Sequence, residues 1–168
     1  MKHKSISVLV LAVVLILAMS AATFAATSTK ASVPVTLSVS NEYRSVNVTV
    51  PASLPVEVVN GTVLTADNAR IVNNSQYSAV QVTNISVTKG AFIVGDYNNF
   101  SGRKTIALKI NGCPTKGAGD LSLMSSAFPR IDANSNMALV YDAKVSNDAE
   151  NMDNVKAAHV VITISIVD

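Results

Sequence analysis

Apolar and polar side chains alternate along most of this chain, and the alternation changes phase at a few identifiable places. Val46, Val48, Val50, Leu54, Val56 and Val58 all fall on even positions, with Asn47, Thr49 and Glu57 between them. A period of two puts the first set on one face of an extended chain and the second on the other. Pro51 and Pro55 cannot donate to a β-ladder, so this ribbon is expected to follow a sheet edge or to bend at the prolines. Asn60-Gly61 then turns the chain. A second long strand, AVQVTNISVTK (79–89), carries Val80 and Val82 in even phase but Ile85 and Val87 in odd phase. The step at Thr83-Asn84 predicts a β-bulge.

The same reading extends to the rest of the chain. Val33, Val35, Leu37 and Val39 alternate with Pro34, Thr36, Ser38 and Ser40, a strand turned by Asn41-Glu42. Short strands follow at 62–65, 69–72 and 91–94, and Ile106, Leu108 and Ile110 mark another, closed by Asn111-Gly112. Pro114, Gly117, Gly119 and Pro129 break up residues 113–136, where 122–127 is expected to form one helical turn. Met137, Leu139, Tyr141, Ala143 and Val145 share a face and predict one long strand. The last strand is expected to turn Val160, Ile162, Ile164 and Ile166 inward. Short strands, turn residues between them and no helical period predict an all-β fold, a β-sandwich or jelly roll of about eight to ten mostly antiparallel strands.

The first residues do not belong to that pattern. Lys2, His3 and Lys4 precede the apolar run Val8–Ala18, and Thr23-Phe24-Ala25 supplies small residues where signal peptidase reads. Residues 1–25 are therefore expected to be a cleaved secretory signal, the rival reading being an uncleaved anchor. The apolar core is shorter than the ~20 residues a span needs. Residues 26–168 then form a single domain with a flexible leader at 26–32, exported and without a membrane span. Charge changes with the cut. The whole chain has 13 Lys+Arg and 11 Asp+Glu, and Lys2 and Lys4 leave with the signal, so 11 of each remain. Zero net charge argues against nucleic acid as a partner and leaves self-association unopposed. Only 14% of residues are charged, against about a quarter in ordinary domains. The strand faces are coated with Ser, Thr, Asn and Gln instead, a surface that invites edge pairing.

Chemistry is sparse. His159 is the only histidine after the signal, and a Ser-His-Asp device or a zinc site needs more than one ring on a strand. Lys116-Gly117-Ala118-Gly119-Asp120 lacks the GK[ST] and helix of a phosphate loop and reads as a turn. No enzyme is expected. Calcium is the one cofactor candidate: Asp148, Glu150 and Asp153 cluster in the 146–154 loop with Asn147, Asn151 and Asn154, oxygen ligands of the kind Ca²⁺ takes. The spacing is not an EF-hand's, and a solvated loop is the ordinary alternative. Cys113 has no partner for an internal disulfide and reads as a buried small hydrophobe. Asn-x-Ser/Thr triplets at Asn47, Asn60, Asn73, Asn84 and Asn99 read as chance in a bacterial-type chain. Trp is absent, and Tyr77, Phe92, Tyr97 and Phe100 are the only clustered rings.

The segments VTVPASLPVEVVNGTVLTADNARIVNNSQYSAVQVTNISV, LKINGCPTKGAGDLSL, LVYDAKVS and HVVITISIV together resemble small exported β-sandwich proteins of Gram-positive bacteria. They are similar in style to Trp-x-Leu-type surface domains and to the TasA/camelysin group of biofilm-matrix fibre proteins. The chain has no Trp-x-Leu motif and is smaller than the usual fibre formers. The resemblance implies a jelly roll at the cell surface or in the extracellular matrix. It also implies assembly in which an N-terminal strand completes a neighbour's sheet. The donor here would be residues 26–40, with Val33, Val35, Leu37 and Val39 as its apolar row. The expected function is thus a non-enzymatic secreted structural protein, self-assembling by strand addition or bound to another surface or matrix protein. The alternative is a monomeric secreted module that binds cell-wall carbohydrate or a surface protein.

Overall fold

The computed structural model describes residues 28–40, 46–148 and 154–167. The signal segment 1–25 and the Asn41-Glu42 turn lie outside them. Among the described residues the fold is all-β, with fourteen strands and no helix. They are β1 (Ser28–Ser40), β2 (Val48–Thr49), β3 (Ser53–Val59), β4 (Thr62–Thr65), β5 (Arg70–Asn73), β6 (Ala79–Lys89) and β7 (Ile93–Val94). After these come β8 (Thr105–Ile110), β9 (Cys113–Pro114), β10 (Gly119–Asp120), β11 (Ser135–Ala138), β12 (Tyr141–Val145), β13 (Val155–Lys156) and β14 (Ala158–Val167). The expected count was lower because two-residue strands leave no periodic signature.

The strands make three sheets. The largest has seven strands in the order β10-β6-β14-β1-β3-β4, with β13 also on β1; a second is β11-β5-β2, and a third is β12-β8-β7 with β9 on β8. Pairing is mixed. β1 runs parallel to β13 and β14, and β7 parallel to β8, while the other pairs are antiparallel. Tight hairpins force antiparallel neighbours, but β1 and β14 come from distant parts of the chain and no turn dictates their direction.

All three sheets feed one hydrophobic cluster. Leu54 and Val56 of β3, Ile71 of β5, Ile106, Leu108 and Ile110 of β8, and Val160, Ile162 and Ile164 of β14 are each 0–1% exposed. Each contributes about 1.5–3 kcal/mol through burial. β6 reaches the same core only because of its phase change. Thr163 pairs with Asn84 and Ile164 with Val82, so Thr83 is the extra residue of a bulge. With it, Val80, Val82, Ile85 and Val87 are all buried and Thr83 is exposed.

Two predicted strands are divided. The Val46–Val58 ribbon bends at Pro51-Ala52 and passes from the sheet of β2 to that of β3. Pro55 is not a ladder gap without use, because its carbonyl accepts the buried Tyr141 hydroxyl at 2.6 Å, and the Tyr141 hydroxyl oxygen in turn accepts Ala66 N–H at 3.0 Å. The 137–145 strand splits at Leu139-Val140: β11 pairs with β5 and β12 with β8. Asn111 holds the crossing. Its side chain accepts Val140 N–H at 2.8 Å and donates to the carbonyl of Ala138, while its own N–H donates to Val140. The 122–127 segment makes a single turn, closed by Ala127 N–H to Met124 O, rather than a helix.

Candidate assembly site

β1 begins at Ser28, so residues 28–32, expected within a flexible leader, are paired strand. The strand has two unlike halves. Residues 28–34 lie between β3, antiparallel from Ser28↔Val59 to Pro34↔Ser53, and β13, parallel at Ala31 and Ser32. Residues 35–40 run parallel to β14, from Val35↔Val160 to Ser40↔Ser165. Between the two parallel stretches the register slips by one residue on the β13–β14 side. Pro34 occupies that slip, where a missing N–H breaks no regular ladder.

On the other side of β1, Val35 N–H still reaches Ala52 O at 3.3 Å, and then the chain bends away toward β2. Past that point no described strand pairs with residues 36–40 on this side. Successive residues of a strand point their backbone groups to opposite sides, so half of the polar groups of this stretch face a side on which no described strand lies. The side chains follow the division. Val33 is fully buried, Val35 and Leu37 are half-buried against the core, and Thr36 and Ser38 are exposed. Val39 lies in the strand, opposite Ile164. Of Val33, Val35 and Leu37, only Val33 is fully enclosed.

The opposite flank of the large sheet is built differently. The outer side of β6 is followed by the irregular 119–131 segment. Gly119 and Asp120 pair with Val87 and Ser86, Leu121 N–H donates to Ile85 O, Gln81 donates to Phe128 O, and Ile131 bridges Val80. Asn73 fixes the end of this seal. It is fully buried, and its side-chain amide donates to the carbonyls of Ser78, Ile131 and Asp132 at 2.8–3.1 Å while its oxygen accepts Ser75 N–H. In the sequence Asn73 stands as one of five Asn-x-Ser/Thr triplets, and nothing in its neighbours Val72 and Asn74 marks it as a buried anchor.

A polar cluster lies on the outer face of β8 and β12. The Tyr97 hydroxyl donates to Asp142, and Lys109 and Lys144 lie 4.7 Å and 4.5 Å from the Tyr97 ring centre. Lys144 also donates to Tyr97 O, and Lys109 is 3.6 Å from Asp142. The Tyr97 hydroxyl, then the Ala143 N–H and Lys109, hold the Asp142 carboxyl below the usual range, despite burial acting the other way. Burial and Asp142 push the Tyr97 phenol up. Tyr97 and Phe92 are therefore buried and are not part of an exposed aromatic platform; Tyr77 is 86% exposed and Phe100 half-exposed.

The remaining candidates are scattered. Asp148 receives Lys104 N–H and Arg103 Nε, at 3.1 Å and 3.2 Å. Ser146, Lys104 N–H and Arg103 together pull its carboxyl down to about 2. Glu150 and Asp153 lie outside the described residues. Among the described residues no group of three or more His, Cys, Asp or Glu side chains is placed to hold a metal ion. His159 is exposed on β14, and Cys113 is a buried free thiol whose sulfur accepts Met124 N–H. An open cleft of about 570 Å³ lies beside Val63, Phe100, Arg103, Lys144, Ser146 and Asp148. Among the described residues no helix is long and apolar enough to cross a membrane. No family model, curated protein or solved structure matches this chain.

Proposed function

We propose that this protein is a non-enzymatic, secreted structural protein of the cell surface or extracellular matrix, whose copies join by β-strand addition through residues 28–40. The observation that carries the reading is the setting of β1. Its slot is walled by β3 and β13–β14, which the rest of the chain supplies, and its second half ends as an uncharged edge. A neighbour's residues 28–40 can occupy that slot with the same registers, so exchange leaves the bonding unchanged and its extent depends on concentration. Three sheets around one core suit a β-sandwich of jelly-roll type. The 11:11 charge balance after Ala25 removes net repulsion between copies.

Light scattering and negative-stain imaging of residues 26–168, with and without calcium, test the reading. Regular polymers are expected, and Thr36→Lys with Ser38→Lys should prevent them by charging the open edge. Both side chains are exposed, so stability should change by about 0.5 kcal/mol or less. A monomer at every concentration, or polymers indifferent to the lysines and to deletion of 26–40, overturns it. One observation favours a monomeric binding module instead: the open cleft places Phe100 beside polar side chains, a combination suited to a sugar. Glycan and wall-polymer arrays distinguish that outcome.

A further inference from the structure

The chain contains two Asn-Gly turns of the same local geometry in different surroundings. Asn60-Gly61 joins β3 to β4 with φ of 50° and 78°, and Asn111-Gly112 joins β8 to β9 with φ of 44° and 81°. In each, the flanking residues pair directly, Val59 with Thr62 and Ile110 with Cys113. Both are therefore two-residue hairpin loops of the left-handed kind that Asn-Gly favours. The backbone alone does not distinguish them.

Their side chains do. The Asn111 amide donates to Ala127 O and Ala138 O at 3.0 Å and 3.2 Å, and its oxygen accepts Val140 N–H at 2.8 Å. Beside it, the space next to Gly112 is closed by Met124, 3.4 Å from where a β-carbon would stand. Asn60 is exposed, its side chain has no hydrogen-bond partner among the described residues, and nothing lies within 4 Å of the corresponding point on Gly61.

We propose that Asn60 is a site of spontaneous covalent modification, converting to aspartate and isoaspartate, and that Asn111 is protected from the same reaction. The Gly61 backbone nitrogen attacks the Asn60 side-chain carbonyl carbon. A C–N bond forms, the C–N bond to the amide nitrogen breaks, and ammonia leaves with the proton that Gly61 gives up. Water then opens the resulting succinimide at either carbonyl. Gly61 presents no β-carbon to hinder the approach, and its N–H is outside the β3–β4 ladder. The tip must rotate out of its left-handed conformation for the ring to close, and among the described residues nothing lies within 4 Å of the β-carbon position at Gly61. For Asn111 three hydrogen bonds must break first, which at ordinary net strength slows closure about a hundredfold.

The product matters to the edge it sits on. β4 is the outermost strand on its side of the large sheet, and its sequence TVLT has no charge. Conversion places a carboxylate at its tip, and the isoaspartate form lengthens a two-residue loop by one methylene.

The test is peptide mapping by mass spectrometry after incubation in mildly alkaline buffer, run on folded chain and on chain unfolded in urea, with enzymatic methylation to count isoaspartate. In urea both Asn-Gly pairs should react at comparable rates. In the folded chain Asn60 should keep reacting while Asn111 falls behind about a hundredfold. Asn60→Gly, which keeps the turn, should remove the acidic species on isoelectric focusing. Equal protection of the two residues in the folded chain, equal reactivity, or an acidic species that survives Asn60→Gly overturns the proposal.

Discussion

The two flanks of the large sheet handle the same physical problem in opposite ways. Along β6, unpaired backbone groups meet 119–131, a stretch with little regular structure of its own that supplies bridges at Val87, Ser86, Ile85 and Val80. Along β1 the chain bends away at Ala52, and residues 36–40 have no described strand on one side. Neither charge nor bulge guards that stretch, although open edges in soluble β-proteins ordinarily carry one or the other. The contrast teaches that irregularity here is protective and regularity is exposed: the irregular 119–131 segment closes a sheet, while the evenly alternating 36–40 stretch has no described strand on one side.

The comparison can be broken most sharply at Asn73. Asn73→Ala strands the buried Ser78 carbonyl and the Ser75 N–H and takes one of two bonds from the Ile131 and Asp132 carbonyls, and is expected to cost about 2 to 4 kcal/mol. A urea titration with unchanged slope and a lowered midpoint would register it. Hydrogen exchange should rise first at Val80 and Ile131, the end of the seal.

The division within β1 predicts a smaller, graded effect. Val33→Ala removes two methyl groups from a fully enclosed site and should cost about 2 kcal/mol. Leu37→Ala removes more atoms from a half-buried one, and should cost about 1 kcal/mol or less. The reverse order in denaturation midpoints would mean that residues 36–40 are enclosed and the edge is not open.

The smallest effect belongs to a region away from both flanks. The folded Asp142 carboxyl is held below its ordinary value of 3.8, first by the Tyr97 hydroxyl. Its contribution is therefore present above that value and lost as pH falls through the lower, folded one. Asp142→Asn should flatten the acid limb of a stability-against-pH curve and leave both edges unaffected. Because Asp142 is largely exposed, solvent screens much of the interaction and the change should be slight.

What the sequence discloses follows from what periodicity can carry. The bulge at Thr83 was legible because the apolar phase visibly changes there, from Val82 to Ile85. The turns at Asn60-Gly61 and Asn111-Gly112 were legible because their backbone demands particular residues. The split at Leu139-Val140 was not, because Met137, Leu139, Tyr141 and Ala143 keep one phase while the strand changes sheets. Alternation reports which face is buried and is silent about which strand lies alongside, so the parallel pairing of β1 with β14 left no trace. Asn73 was hidden for a related reason: a buried asparagine with every bond satisfied has the same composition as a turn. The assembly candidates Val33, Val35, Leu37 and Val39 were readable as one row, but the unequal enclosure of Val33, Val35 and Leu37 depends on where β3 stops.

The parallel ladder between β1 and β14 also sets how the molecule would bear load. The start of β1 and the finish of β14 lie at opposite ends of a shared run of six registered pairs, Val35↔Val160 through Ser40↔Ser165. Tension applied at those two points slides one strand along the other, so every bond in the run is strained at once. The β3–β4 hairpin, pulled at its open end, would instead unzip pair by pair. A fibre strung through strands held in shear is tough in tension.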